Sequence, residues 1–175
     1  MTRPPYLSDI PGFRKVYDAS CFCGSVQYEI GAERPLDAKF CHCVTCQKLH
    51  GAPFQWSAIF AKPSIRFTSG AANLTYWTPH LRTQEYDLPC KVSCATCRAP
   101  LMDEGRNMVL VFPTLVRFGG EEERRRFYPS CHIFYERRCM DVPDGLPKYA
   151  GHKAESELVP ERGGGGGGEG GEGGA

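Results

Sequence analysis

The sequence has almost no net charge and contains no long apolar run. Its 21 Lys and Arg residues are balanced by 20 Asp and Glu residues, so the formal net charge is only +1 across 175 residues. This balance gives no electrostatic basis for binding nucleic acid or an anionic membrane surface. No apolar stretch approaches the roughly 18 residues that a transmembrane helix needs. We therefore expect neither nucleic acid nor a membrane among the partners of this protein.

The first twenty residues lack an apolar signal-peptide core and are interrupted by Pro4, Pro5 and Pro11. We accordingly expect a cytoplasmic protein. Because the cytosol keeps thiols reduced, the ten cysteines of the chain are not expected to form a disulfide framework. Closely spaced cysteines in a reducing compartment are typical of metal sites instead.

Helical periodicity sustained over ten or more residues is absent before residue 150. Short alternating or apolar stretches predict β-strands instead, at 25–30, 54–60, 65–68, 74–77, 86–88, 107–112 and 133–135. We therefore expect a mainly β fold, a compact antiparallel domain of short strands with at most short helical turns, one of them at 46–50. The charged run 121–126 is typical of a solvated loop or hairpin tip, and the alternative is a partner-binding patch.

Composition divides the chain into three parts. Residues 1–16 contain several prolines and predict an irregular leader. Residues 17–152 carry the expected strands and are long enough to form one domain with its own core. Residues 153–175 end in GGGGGGEGGEGGA, which offers nothing to bury and has maximal backbone entropy. This last part predicts a disordered Gly/Glu-rich tail.

Two cysteine pairs have the spacing of zinc ligands. Cys21 and Cys23 stand two residues apart, and Cys94 and Cys97 stand three apart about seventy residues later. Neither pair alone fills a tetrahedral shell, whereas both together make a closed four-thiolate site. Such a site would join the start of the domain to its middle and contribute much of the folding free energy.

A third group, Cys41-His42-Cys43-Val44-Thr45-Cys46, supplies three thiols within six residues. In an extended segment Cys41 and Cys43 face the same side, and the turn that follows brings Cys46 round. Three protein ligands leave one corner of a tetrahedron free, as in catalytic zinc sites. Two alternatives stay open: His42 or His50 completes the shell of a purely structural site, or the three thiols merely pack. His42 alternates with its neighbours, so its side chain is expected to point away from the metal.

These motifs resemble the glutathione-dependent formaldehyde-activating enzyme / centromere protein V family. The resemblance covers roughly residues 16 to 152. It rests on the three cysteine motifs and on Gly51-Ala52-Pro53-Phe54, Pro100-Leu101, His132-Ile133-Phe134 and Asp144-Gly145-Leu146-Pro147.

The resemblance implies a β fold like that of methionine sulfoxide reductase B and carbon–sulfur lyase-type chemistry on glutathione adducts. It also implies two zinc ions per chain, a structural one on Cys21, Cys23, Cys94 and Cys97 and a catalytic one on Cys41, Cys43 and Cys46. The sequence departs from the family at two positions. Arg98 stands where glycine is usual, which is expected to alter that loop, and His50 stands where serine is more common.

A zinc-bound thiol is deprotonated near neutral pH and is therefore nucleophilic without a dedicated base. We expect an enzyme that makes or breaks a carbon–sulfur bond in a small-molecule thiol adduct, with His50 as the candidate for proton transfer. Lys48, Arg66 and Arg82 are candidates for binding glutathione carboxylates. Phe54, Trp56, Phe60 and Trp77 are candidates for the pocket wall, and the alternative for most of them is core packing. The alternatives are a non-catalytic zinc module that binds protein or chromatin, a tailoring enzyme with a different substrate, and a redox enzyme using Cys90 or Cys131.

Overall fold

Two β-sheets form the framework of the computed structural model, which describes residues 10–160. The expectation of a mainly β fold is confirmed. The strands are β1 Tyr17–Ser20, β2 Gln27–Ile30, β3 Asp37–Cys41, β4 Gln55–Ala61, β5 Ile65–Ser69, β6 Leu74–Trp77, β7 Cys90–Cys94, β8 Pro100–Glu104, β9 Met108–Val111, β10 Val116–Arg117 and β11 Cys131–Ile133. Two short α-helices, α1 Val44–His50 and α2 Glu121–Arg125, interrupt this order.

The smaller sheet has four strands in the order β10-β1-β2-β5, and all its pairs are antiparallel. Side chains alternate between its two faces, as the pleat of a strand requires. Tyr17 and Ala19 of β1 are buried, and so are Tyr28 and Ile30 of β2. The buried faces of these strands point toward the larger sheet, because their side chains share one apolar cluster with it.

The larger sheet has seven strands in the order β11-β3-β4-β9-β8-β7-β6. Its pairs are antiparallel except that β11 runs parallel to β3, with Ile133 opposite Cys41. This edge pair is the exception to the antiparallel pairing expected of the domain. A parallel pair needs a long crossover connection, and here almost ninety residues of chain lie between the two strands. The crossover places the end of the domain directly beside the strand that carries Cys41.

The core lies between the two sheets. Burying a large apolar side chain contributes roughly 1.5–3 kcal/mol, so this shared cluster is the main source of stability apart from any metal. Its largest fully buried members are Tyr28, Phe60, Phe127, Ile30, Ile65, Leu101 and Met102.

Helix α1 begins two residues earlier than the expected turn at 46–50. The Sγ atom of Cys43, the N-cap residue, accepts a hydrogen bond from the backbone N–H of Cys46 at 3.3 Å. This bond satisfies one of the free N–H groups at the helix start. Gly51 ends the helix in the left-handed conformation with φ +58°.

The charged run 121–126 forms helix α2 and not the expected loop or hairpin tip. Acidic residues occupy its first turn and basic residues its last, which is the favourable arrangement for the helix dipole. Glu121 pairs with Arg125 at 3.6 Å and Glu122 with Arg126 at 3.0 Å. The local ion pairing expected for this run is present.

The described part of the predicted tail, residues 153–160, packs back onto the domain. The backbone N–H of Val159 donates to the Lys148 carbonyl at 2.7 Å, and Tyr149 forms an isolated bridge with Leu158. The Lys153 ammonium donates to Asp37 at 2.9 Å. Ordered structure therefore continues beyond the predicted boundary at residue 152, whereas the Gly/Glu-rich residues from 161 onward and most of the predicted leader lie outside the described residues.

Within residues 10–160, no helix has the length and apolar character needed to cross a membrane. The expected cytoplasmic location stays a prediction, as does the likeness to the methionine sulfoxide reductase B fold.

Candidate metal centres and active site

The four cysteines predicted to share a closed site come together between the two sheets. Cys21 follows β1, Cys23 lies in the next turn, Cys94 ends β7 and Cys97 lies in the turn before β8. All four Sγ atoms lie within 4.8 Å of one another. Sγ of Cys23 is 3.5 Å from that of Cys21 and 3.9 Å from that of Cys94, so the thiols are free and not disulfide-bonded. We call this group the closed cluster.

Left-handed residues make the two tight turns of the closed cluster. Gly24 has φ +74°, and its N–H donates to the Cys21 carbonyl at 3.1 Å. Arg98 has φ +62°, and its N–H donates to the Cys94 carbonyl at 2.9 Å. Arg98 therefore adopts the conformation that glycine adopts most easily. A side chain in this conformation costs roughly 1–2 kcal/mol.

Hydrogen-bond donors surround the sulfurs of the closed cluster. Oγ of Ser25 lies 3.0 Å from Sγ of Cys23 and 3.3 Å from Sγ of Cys94, and Nδ2 of Asn73 fixes that hydroxyl at 2.8 Å. Burial alone would raise the pKa of Cys94, but bonds from Ser25 and from backbone amides outweigh it and lower the pKa to about 6. Bonds from Ser25 likewise lower the pKa of Cys23. These donors favour thiolates, the form that binds metal.

The other three predicted ligands form a second group, which we call the open cluster. Cys41 ends β3, Cys43 caps α1, and Cys46 lies in the first turn of that helix. Their Sγ atoms lie within 4.8 Å of one another, with 3.5 Å between Cys41 and Cys46. No histidine belongs to either cluster within the part of the chain that the structure describes. The alternative in which His42 or His50 completes the shell therefore receives no support from the geometry.

Negative charge in the open cluster is concentrated on Cys43. Hydrogen bonds from the thiols of Cys41 and Cys46 lower its pKa, and the backbone N–H of Cys46 and the charge of Lys91 add to this. The pKa of Cys41 is raised to about 11, chiefly through its bond to Cys43, and that of Cys46 is raised as well. The helix start and a nearby ammonium thus stabilise a thiolate at this position.

His42 points away from the thiols, as expected, and ends a chain of buried hydrogen bonds. Its Nε2 is 2.8 Å from Nδ1 of His132, whose Nε2 is 2.8 Å from Oδ2 of Asp144. The Lys148 ammonium donates to the other carboxylate oxygen at 3.0 Å. In a neutral His132 ring whose Nε2–H donates to Asp144, the remaining nitrogen accepts from His42. Both histidines are fully buried, and Nδ1 of His42 has no partner among residues 10–160.

Residue spacing in the sequence did not predict the buried hydrogen bonds that join His42, His132 and Asp144. His132 and Asp144 occur in the motifs that carry the family resemblance, which was the available signal. Their contact with His42 joins residues 90 positions apart, and no local pattern encodes such a contact.

His50 lies at the end of α1, half-buried, with its ring edge-on to Phe112 at a centroid distance of 4.9 Å. It follows Cys46 by four residues and Cys43 by seven, so all three share one face of the helix. Desolvation lowers the pKa of His50, which is therefore neutral near pH 7. The structure thus places His50 beside the open cluster without making it a ligand.

A small cavity of about 90 Å³ lies against this end of the helix. Lys91 and Asp103, on neighbouring strands β7 and β8, form an ion pair at 2.5 Å in its wall. Leu49, His50, Trp77 and Arg98 also line it. A wider depression of about 330 Å³ shares Lys91 and Asp103 with this cavity and extends toward Pro89 and Leu110.

A sequence profile described as glutathione-dependent formaldehyde-activating enzyme matches residues 16–137. The chain belongs to this family. No curated protein matches it. Among solved structures, it is similar to a Rhodobacter sphaeroides protein determined as a structural genomics target, with 22% identity and a TM-score of 0.48. That similarity covers 61% of this chain and 93% of the other.

Both clusters of this formaldehyde-activating family member have the dimensions of zinc sites. With zinc–sulfur bonds of about 2.3 Å, the edge of a tetrahedral sulfur site is about 3.8 Å. The Sγ–Sγ distances of 3.5 and 3.9 Å in the closed cluster and 3.5 Å in the open cluster lie close to that value. Thiolate donors also suit zinc better than they suit magnesium or calcium. The residues present therefore fit a metal ion at each cluster.

The aromatic and basic residues proposed from sequence are dispersed in this family member. Phe60 belongs to the core, and Trp56 donates its indole N–H to the Phe127 carbonyl at 3.0 Å. Phe54 packs against Phe40 and His42, which leaves Trp77 as the predicted aromatic that lines the cavity. Among the predicted cations, Arg66 pairs with Glu29 on the smaller sheet at 2.6 Å. Neither Lys48 nor Arg82 lines the cavity, so the structure does not support them as carboxylate-binding residues there. The cations that line the cavity are Lys91 and Arg98, which residue spacing did not single out.

Proposed function

We propose that this protein is a zinc-dependent, carbon–sulfur lyase-like enzyme. It makes or breaks the bond between glutathione, or another thiol, and an aldehyde or related electrophile. The observation that carries the proposal is the difference between the two clusters: four thiols surround one position, whereas three converge on the other. A second ion with one free corner is the arrangement of catalytic zinc sites.

Cys21, Cys23, Cys94 and Cys97 would hold the structural ion, and Cys41, Cys43 and Cys46 the catalytic one. When bound there, zinc supplies a position at which the substrate sulfur is held as a thiolate near neutral pH. Several thiolates around one divalent ion carry a net negative charge. The ammonium of Lys91 offsets part of that charge, because it lies close enough to the open cluster to lower the pKa of Cys43.

His50 would move the proton. During cleavage, the hydroxyl of the adduct gives its proton to His50, the carbon–sulfur electron pair passes to sulfur, and the carbonyl of the aldehyde forms. During adduct formation the same proton returns to the oxygen. A neutral imidazole accepts a proton, and desolvation keeps the pKa of His50 below its usual value.

The deciding experiment measures zinc per chain and turnover of S-hydroxymethylglutathione in three variants. Cys43→Ala is expected to reduce two ions to one, abolish turnover and leave the domain folded. Cys23→Ala is expected to unfold it, because structural zinc in finger peptides contributes about 10–16 kcal/mol whereas whole domains are stable by about 5–15 kcal/mol. Cys139→Ala is the control, since this exposed thiol belongs to neither cluster.

Two results would refute the proposal. One is a Cys43→Ala variant that retains both ions, and the other is a Cys43→Ala variant that turns over the adduct at the wild-type rate.

A further inference from the structure

Arg98 combines the strained backbone of the turn with two properties that the turn does not explain. Its backbone is in the left-handed conformation with φ +62°, which costs a non-glycine residue free energy. It lines the small cavity together with His50 and Lys91. Its side chain is exposed, and its guanidinium has no hydrogen-bond or ion-pair partner within residues 10–160. Strained residues that line a cavity are candidates for function.

The other cation of the cavity already has a carboxylate partner. Lys91 forms its ion pair with Asp103, so it contributes less net charge toward a ligand than its ammonium alone would. Arg98 therefore supplies the uncompensated positive charge of this wall. A guanidinium presents a planar fork of donors that matches a carboxylate in a bidentate geometry, which an ammonium cannot reproduce.

The size of the cavity also limits what Arg98 can receive. A volume of about 90 Å³ accommodates one small group, whereas the wider depression beyond Lys91 and Asp103 has room for the rest of a substrate. His50 lies in the same wall, so a group bound by Arg98 would lie next to the proposed proton-transfer residue.

We propose that Arg98 is a specificity-determining residue that binds a carboxylate of the substrate beside the open cluster. The inference rests on the proposed function and names its substrate class, a thiol adduct bearing a carboxylate. Two parts of an adduct can supply this group: the thiol carrier, as in glutathione, or the electrophile, as in glyoxylate.

The experiment compares wild type with Arg98→Gly, Arg98→Lys and the control Arg82→Gly. Arg82 is matched to Arg98 because it is also an exposed arginine with positive φ, +52°, but it does not line the cavity. Turnover is measured for formaldehyde adducts of glutathione and of 2-mercaptoethanol, and for glutathione adducts of formaldehyde and of glyoxylate. Glutathione binding to the zinc-loaded protein is measured separately by calorimetry.

In one of the two substrate pairs, the two carriers or the two electrophiles, wild type is expected to prefer the member that bears the carboxylate. Arg98→Gly is expected to reduce that preference by about ten-fold, because it loses one charge-assisted contact. The pair that responds identifies the source of the carboxylate: the carrier pair for glutathione, the electrophile pair for glyoxylate. Only a carrier carboxylate predicts weaker calorimetric binding as well. Arg98→Lys is expected to recover part of the preference, because lysine keeps the positive charge but cannot bind a carboxylate through two parallel donors as a guanidinium does. Both Gly variants are expected to raise the melting temperature by about 2–4 °C, because each relieves a left-handed side chain.

Preferences that stay within two-fold of wild type in Arg98→Gly would overturn the inference, as would an equal change in Arg82→Gly. Uniform loss on all substrates would also overturn it, because it would place Arg98 in support of the cluster and not in recognition. If wild type binds glutathione more tightly than Arg98→Gly does but cleaves no adduct, the proposed function fails and the carboxylate site stands.

Discussion

The buried contact between His42 and His132 allows a quantitative test of the fold around the open cluster. Replacing His132 with Phe keeps a ring of similar volume and removes both hydrogen bonds of the imidazole. His42 then has no partner for either ring nitrogen, because its Nδ1 is already unpartnered within residues 10–160. An unsatisfied buried polar group costs about 1–3 kcal/mol. Asp144 loses one bond but is 30% exposed and keeps Lys148, so water replaces most of that loss.

The expected total is a decrease of about 2–4 kcal/mol in the free energy of unfolding. Equilibrium urea denaturation of the zinc-loaded protein measures it, and with a slope of about 2 kcal/mol per molar the midpoint falls by roughly 1–2 M. His80→Phe is the control, because His80 is half-exposed and its pairing with Asp87 at 3.3 Å lies at the surface. That control is expected to stay within about 0.5 kcal/mol of wild type.

A double variant separates the hydrogen bond from general packing. Since each single change orphans the other histidine, replacing both His42 and His132 with Phe is expected to cost about 1–3 kcal/mol less than the sum of the single changes. Free-energy losses that simply add in the double variant would show that the buried hydrogen bonds of His42 and His132 do not stabilise this region. A His132→Phe variant as stable as wild type would show the same.

Two further predictions concern the closed cluster and the edge of the larger sheet. Ser25→Ala is expected to lower the affinity of the closed cluster for metal by about 10–100-fold, because the variant loses the hydroxyl that bonds to two of the ligand sulfurs. Competition with a chromophoric chelator measures this affinity, and an unchanged value would contradict the prediction. Asp37→Asn is expected to cost about 1 kcal/mol at pH 7, because the carboxylate accepts from Ser130 at 2.7 Å and from Lys153 at 2.9 Å. Burial would raise the pKa of Asp37, but these two donors outweigh it and lower the pKa on folding. The contribution is therefore complete above the ordinary pKa near 4 and is lost as pH falls further, so urea curves of wild type and Asp37→Asn are expected to converge in acid. A difference that persists at pH 2 would contradict this reasoning.

Residue spacing predicted the two thiol clusters because ligand geometry is local. Cysteines two or three positions apart leave few alternatives, and the structure brings together all seven of the named thiols. Alternation likewise predicted strands such as β4 and β5, where one face is buried and the other is not. Both signals depend on neighbours in the chain.

Features that depend on distant partners were missed. Strand β8 begins with a proline and ends with Glu104, a residue type that is almost never fully buried unless it is paired. Glu104 is 1% exposed because Lys62 donates to it at 2.6 Å and the Tyr86 hydroxyl at 2.7 Å. The parallel pairing of β11 with β3 and the Lys91–Asp103 pair in the cavity wall are hidden for the same reason.

Because β11 pairs with β3 but is translated late, this edge of the larger sheet can form only near the end of synthesis. The seven thiols have all been translated once residue 97 emerges from the ribosome, whereas β11 and His132 follow more than thirty residues later. A nascent chain halted between these points would contain every candidate metal ligand while Cys41 and His42 still lacked their neighbours in the finished protein. Premature termination in this interval would thus release a polypeptide that carries all seven clustered thiols but lacks the strand that pairs with β3 beside Cys41.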